Sequence, residues 1–122
     1  MQHNVGIVRT ESEMQYALGQ LQQLKERANR AGITGNREYN PGWHTTIDLK
    51  NLISVSEAIT RAAIQRKESR GAQFREDYPE KDDQFSKVNT IVSKAPGKSM
   101  QIRLEPLPEM PDYLKQVIEE NR

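Results

Sequence analysis

A mainly α fold is what this sequence of 122 residues predicts: an up-and-down helical bundle of the spectrin-repeat kind, with two long antiparallel helices, a C-terminal β-hairpin and a short tail helix. Three observations predict it. Apolar residues recur at steps of three and four over residues 10–31 and again over residues 41–69. Only a short connector separates the two stretches, so the helices are expected to lie antiparallel. Beyond residue 86 the period changes from helical to alternating, the pattern of a strand with one covered face.

The first helix opens at Thr10-Glu11-Ser12-Glu13, which has capping-box spacing: the Thr10 hydroxyl takes the Glu13 amide while the Glu13 carboxylate reaches back to the Thr10 amide. Met14, Ala17, Leu18, Leu21, Leu24, Ala28 and Ala31 form its stripe. Arg27 and Arg30 suit the negative end of the helix dipole, and Gly32 is placed to close the helix in a left-handed conformation. After a connector from Ile33 to Tyr39, Asn40-Pro41 reads as an N-cap followed by proline at the first helical position. The second stripe runs from Trp43 through Ile47, Leu52, Ile53, Val55 and Ile59 to Ala62 and Ala63 without an intervening Pro or Gly, giving a helix ~40 Å long at about 1.5 Å per residue. Packing between the two is expected through Leu18, Leu21, Leu24, Leu52, Val55, Ile59 and Ala62.

Residues 71–86 read as a charged loop with little to bury. Val88, Thr90 and Val92 then alternate with Lys87, Asn89 and Ile91, Ala95-Pro96-Gly97-Lys98 supplies a turn, and Met100, Ile102 and Leu104 alternate with Gln101, Arg103 and Glu105, so a hairpin is expected over 87–105. Pro106, Pro108 and Pro111 mark an extended link into a tail (106–122) whose Tyr113, Leu114, Val117 and Ile118 predict a short helix. With 1–70 as the helical part, the chain reads as a single domain.

Composition narrows the function. Eighteen Lys and Arg against seventeen Asp and Glu leave no net field to gather nucleic acid or an anionic membrane surface. Leu, Ile, Val and Phe number 25, a thin core for a strongly polar chain and the balance expected of a domain that leans on a larger body. The absence of cysteine points to a cytoplasmic setting and leaves no disulfide or thiolate metal site. Nowhere do eighteen apolar residues follow one another, so direct membrane insertion is not expected.

Chemistry-bearing patterns are few. His3 and His44 fall in separate elements without carboxylates at metal-binding spacing, and Ser69 has no histidine near it and no glycine-flanked elbow. The seven glycines make neither a dinucleotide fingerprint nor a phosphate loop, so no cofactor is expected in this chain. One stretch stands apart. Arg66 to Pro79, RKESRGAQFREDYP, combines fixed charges, a glycine and two aromatics, a composition that reads as a buried ionic junction taken up by a partner surface. The candidate docking residues are Arg66, Glu68, Ser69, Arg70, Gly71, Phe74, Arg75, Asp77 and Tyr78.

At these residues the chain resembles a known family. Glu68-Ser69-Arg70-Gly71-Ala72, Arg75-Glu76-Asp77-Tyr78-Pro79 and Asp82-Asp83 are similar to the signature near the C-terminus of succinate dehydrogenase and fumarate reductase flavoproteins. Val5-Gly6-Ile7-Val8-Arg9-Thr10, Asn51-Leu52, Ala58 and Ala62 fall where that family places comparable residues, and Asn40-Pro41-Gly42-Trp43-His44 resembles its soluble-type bacterial members. The resemblance implies a helical domain following flavin-binding and capping domains, with FAD and the substrate-binding side chains upstream and an iron-sulfur subunit as a further partner. It places the chain in the cytoplasm, or at the cytoplasmic face of the inner membrane through partner subunits. It also sets Met1 inside a helix, as in a fragment, and the family carries histidine where this chain has Gln73. L-aspartate oxidase has a related Glu-Ser-Arg-Gly segment and is the enzyme alternative; a stand-alone helical adaptor with a charged docking loop is the alternative from another class.

Overall fold

The structure is a computed structural model that describes residues 1–97 and 99–121. Residues 1–7 form turns rather than the helix the resemblance implied, with one bond from the Val5 amide to the Met1 carbonyl. They lead into β1 (Val8–Arg9) and α1 (Glu11–Arg30). The capping box at Thr10 and Glu13 forms in both directions. Gly32 does not close the helix: Ala31 leaves it in an extended conformation, and the left-handed residues of the connector are Gly35 and Tyr39.

Asn40 caps α2 (Pro41–Gln65) by accepting from the Gly42 amide at 3.0 Å, with Pro41 in the first turn. The helix stops four residues before the expected end at 69, because Arg66 turns to an extended conformation. The two helices pack antiparallel over a core of Met14, Ala17, Leu21 and Ala28 from α1 and Ile53, Thr60 and Ala63 from α2, with Val5 folded in from the N-terminus. Three of these eight residues are alanines and one is a threonine, so half of the core positions are small. Thr60 is admitted because its hydroxyl donates back to the Ser56 carbonyl at 2.7 Å.

The expected packing face is therefore only partly realised. Leu21 is buried and Leu18 and Ala62 are half-buried, but Leu24, Leu52, Val55 and Ile59 are exposed. Amphipathic period identifies an apolar stripe, and α2 is apolar over an arc wider than α1 covers.

Following α2, β2 (Phe74–Arg75) pairs in parallel with β1, placing Val8 opposite Phe74 and Arg9 opposite Arg75. The expected loop also contains one helical turn, α3 (Asp83–Ser86). The hairpin forms as β3 (Val88–Lys94) and β4 (Met100–Pro106), in register from Val88 opposite Pro106 to Lys94 opposite Met100. Gly97 takes φ +86° in its turn, and Lys98 of that predicted turn lies outside the described residues. The tail helix α4 (Asp112–Glu120) leaves Tyr113, Leu114, Val117 and Ile118 exposed.

Candidate functional site

The candidate docking residues meet where α1 begins and α2 ends, and they are organised by two buried charges. Arg75 is fully buried on β2. Its Nη1 donates to the carbonyls of Ala63 (3.1 Å) and Ile64 (3.4 Å), two of the last carbonyls of α2 that have no partner within the helix. Its Nε and Nη2 donate to both oxygens of Asp77 at 2.7 and 2.6 Å, and Nη2 also reaches Glu11 at 3.3 Å. Asp77 in turn accepts the Glu11 amide at 3.0 Å, in the first turn of α1. One ion pair thus sets its cation at the negative end of α2 and its anion at the positive end of α1. The last turn of α2 has no basic residue of its own, so Arg75 supplies from ten residues downstream what the helix lacks.

The second centre is Glu68, also fully buried. It accepts from Arg66 Nε at 2.7 Å, from Arg70 Nε at 3.0 Å and from the Asp82 amide at 3.0 Å. Arg70 then donates to the Asp82 carbonyl at 3.1 Å and Arg66 to the Phe85 carbonyl, tying the loop to the helix end. Ser69 joins the two centres: its hydroxyl donates to the Tyr78 carbonyl at 2.8 Å and accepts the Arg75 amide at 2.8 Å. Gly71, at φ +60°, makes the tight turn between Arg70 and Gln73, a conformation in which a Cβ is strained. Gln73 donates to the carbonyls of Arg66 (3.0 Å) and Glu68 (3.1 Å), so in this chain the position anchors the loop through an amide.

Titration follows from these contacts. Burial works against the Glu68 anion, yet the combined donation from Arg70, Arg66 and the Asp82 amide outweighs it and holds the carboxyl at about 2. Asp77 is held at about 2 chiefly by its bond to Arg75, which overcomes partial burial. Arg75 is raised in return by the same Asp77 bond. The tyrosine belongs to the same unit, with the Arg75 guanidinium 4.9 Å from the centre of the Tyr78 ring.

Much of the charge in this stretch already has partners within the chain. Glu68, Ser69 and Arg75 are buried within the chain itself, and Arg66, Arg70, Asp77 and Tyr78 are engaged by neighbours in it. Of the nine residues only Gly71 and Phe74 present themselves outward without such a partner, Phe74 with 43% of its surface exposed. Sequence reasoning missed Glu11 and Arg9, which reach the junction through the β1–β2 pairing. A two-residue parallel pair across 66 positions leaves no periodicity to read.

A cleft of about 690 Å³ between the helices and the hairpin is lined by Lys25, Ser54, Glu57, Arg61 and residues of β3 and β4. Its carboxylate, Glu57, is already held by Lys25 at 3.3 Å and Arg61 at 2.8 Å, and its lining contains no aromatic ring to stack on a flavin. Among the described residues no cluster of His, Asp and Glu is arranged to hold a metal ion, and no helix is long and apolar enough to cross a membrane.

The fold and junction define a helical domain with a C-terminal hairpin, closed by an internal arginine–carboxylate lock. The chain belongs to the family described as fumarate reductase flavoprotein C-term, which it matches over residues 1–116. It is 43% identical over 84 residues to a succinate dehydrogenase flavoprotein subunit of Coxiella burnetii, covering 68% of this chain and 14% of that protein. Against an L-aspartate oxidase of Acinetobacter baylyi it is 43% identical over 91 residues, covering 72% and 15%. Among solved structures, Mycobacterium smegmatis Sdh1 in complex with UQ1 superimposes with a TM-score of 0.85 at 38% identity, over 96% of this chain and 20% of that one. The chain therefore spans about a seventh of the length of these curated relatives.

Proposed function

We propose that this chain is the non-catalytic C-terminal structural and docking domain of a succinate dehydrogenase or fumarate reductase flavoprotein subunit. The parent protein interconverts succinate and fumarate on FAD held in its upstream domains. The partners are those flavin-binding and capping domains and, beyond them, an iron-sulfur subunit, which brings the assembly to the cytoplasmic face of the inner membrane. The observation that carries the docking role is the outer stripe of α2: Leu52, Val55 and Ile59 stand at helical spacing with 64%, 57% and 47% of their surfaces exposed, on a domain that buries few large side chains. Such a contiguous apolar face marks an interaction surface. Phe74, Ile7 and Val8 add a second apolar patch, at 43%, 65% and 53% exposure.

The test is add-back. A flavoprotein lacking its own C-terminal domain is mixed with the 122-residue chain, and the expected result is a complex in which the flavoprotein unfolds at a higher temperature. The triple variant Leu52→Asp, Val55→Asp, Ile59→Asp should retain its helical circular dichroism and lose the complex. A folded wild-type chain that forms no complex sinks the docking role. The relative from A. baylyi supports an L-aspartate oxidase parent as a second reading, and assaying the reconstituted flavoprotein with succinate and with L-aspartate decides between them.

A further inference from the structure

Arg9 carries a charge at the junction end that the junction does not pair. Its backbone carbonyl is used, accepting the Glu76 amide at 3.1 Å in the β1–β2 ladder, but its guanidinium is not. The Nε atom is buried with no hydrogen-bond partner, and among the described residues no carboxylate lies within 4 Å of the group. Its neighbour across the ladder is another guanidinium, Arg75; Asp77 and Glu11 are both spent on Arg75, and Glu76, whose amide bonds the Arg9 carbonyl, makes no ion pair with it. Partial burial and the Arg75 charge both press on the Arg9 cation. A cation in that setting lacks its anion.

The surroundings say which kind of anion fits. Val8 and Phe74, paired with each other one position before the Arg9–Arg75 pair, are exposed, and so is Ile7, so the β1–β2 pair that carries Arg9 also presents apolar side chains outward. An unpaired charge on a short element that also exposes apolar side chains is the composition of an interface anchor. Planar, bidentate donors match a carboxylate. We infer that Arg9 is the donor that takes up an aspartate or glutamate side chain on the flavin-binding body, at an edge where Ile7, Val8 and Phe74 are exposed to the same partner. This rests on the docking role proposed above and names the polar contact that orients it.

The experiment has two arms. In the isolated 122-residue chain, thermal unfolding of Arg9→Gln is compared with wild type and with Arg75→Gln. Arg9→Gln should unfold at or above the wild-type temperature, because it removes an unpaired, partly desolvated charge, while Arg75→Gln should unfold well below it. In the second arm, calorimetry measures binding of each chain to the flavoprotein lacking its C-terminal domain. Arg9→Gln should bind at least about tenfold more weakly than wild type, and Arg9→Lys should fall between the two. If Arg9→Gln is destabilised alone as much as Arg75→Gln, the arginine serves the domain's own fold and the inference is wrong. Wild-type binding matched by Arg9→Gln overturns the anchor and leaves the docking role standing. No binding by wild type removes the docking role, and this anchor with it. Inorganic phosphate that raises the unfolding temperature of wild type but not of Arg9→Gln, while body binding is equal for both, makes it a small-anion site instead and overturns the carboxylate assignment.

Discussion

The two ends of the α1–α2 pair are built on different principles. At one end, where α1 starts and α2 stops, distant residues close both helices: Arg75 takes carbonyls of α2, Asp77 takes an amide of α1, and Glu68 gathers Arg66, Arg70 and the Asp82 amide. At the other end, from Ala31 to Tyr39, every residue is exposed and the caps are local, with Asn40 on α2 and Arg27 and Arg30 in the last turn of α1. Antiparallel packing brings a positive and a negative helix terminus together at each end. Only at the first does a buried ion pair bridge them. The comparison teaches that in a domain with a thin apolar core, a single satisfied ionic network can set where the helices end and how they are held.

Breaking the closed end should have the largest effect. Arg75→Ala leaves Asp77 and the carbonyls of Ala63 and Ile64 without their shared donor, and chemical denaturation should show a loss of about 3–5 kcal/mol. A loss below about 1 kcal/mol would mean that the two ends are equivalent and the lock is ornamental.

Glu68→Gln comes next, since it keeps the shape but leaves Arg66 and Arg70 facing a neutral amide. A loss of about 2–4 kcal/mol by the same measurement is expected. The acid limb of stability reads the same contacts without mutation. Glu68 and Asp77 sit at about 2 in the folded chain, below their unfolded values of roughly 4, so the unfolded state binds more protons in between. Their stabilisation is present above about pH 5 and is lost as pH falls toward 2, with Glu68 alone contributing on the order of 3 kcal/mol. Unfolding followed from pH 6 to pH 2 should show this slope, and Glu68→Gln with Asp77→Asn should flatten it.

The open end offers the smallest effect and the opposite sign. Tyr39 is fully exposed at φ +56°, where an L side chain is strained, so Tyr39→Gly should gain about 0.5 kcal/mol. Thermal unfolding resolves the direction. A loss there would show that the connector has a tertiary partner after all and would blur the contrast between the ends.

Much of the local structure was legible in particular residues. Thr10 and Glu13 state the start of α1, Asn40 and Pro41 the start of α2, and the alternation around Gly97 the hairpin, because each of these signals acts within a few residues of itself. The unusual chemistry of residues 66–79 is also visible, as charge, glycine and aromatics in one stretch, but not the contacts that these charges make within the chain. Its helical part is shorter than the pattern predicts: α2 ends at Gln65 and not at 69, since the segment beyond is drawn into contacts with Gln73, Glu80 and Asp82.

By itself, then, the sequence determined the helix starts, the hairpin and the presence of an ionic motif, all of which rest on neighbours along the chain. Tertiary structure alone decided which arc of α2 faces α1, burying Ile53, Thr60 and Ala63 and leaving Leu52, Val55 and Ile59 outside. It also decided that Arg75 reaches back to the end of α2 while Arg9, beside it, finds no carboxylate among the described residues. The reason is physical: periodicity records that a helix has an apolar side, and a charge records that it needs a counter-charge, but neither carries the direction in which the partner lies until distant segments have packed.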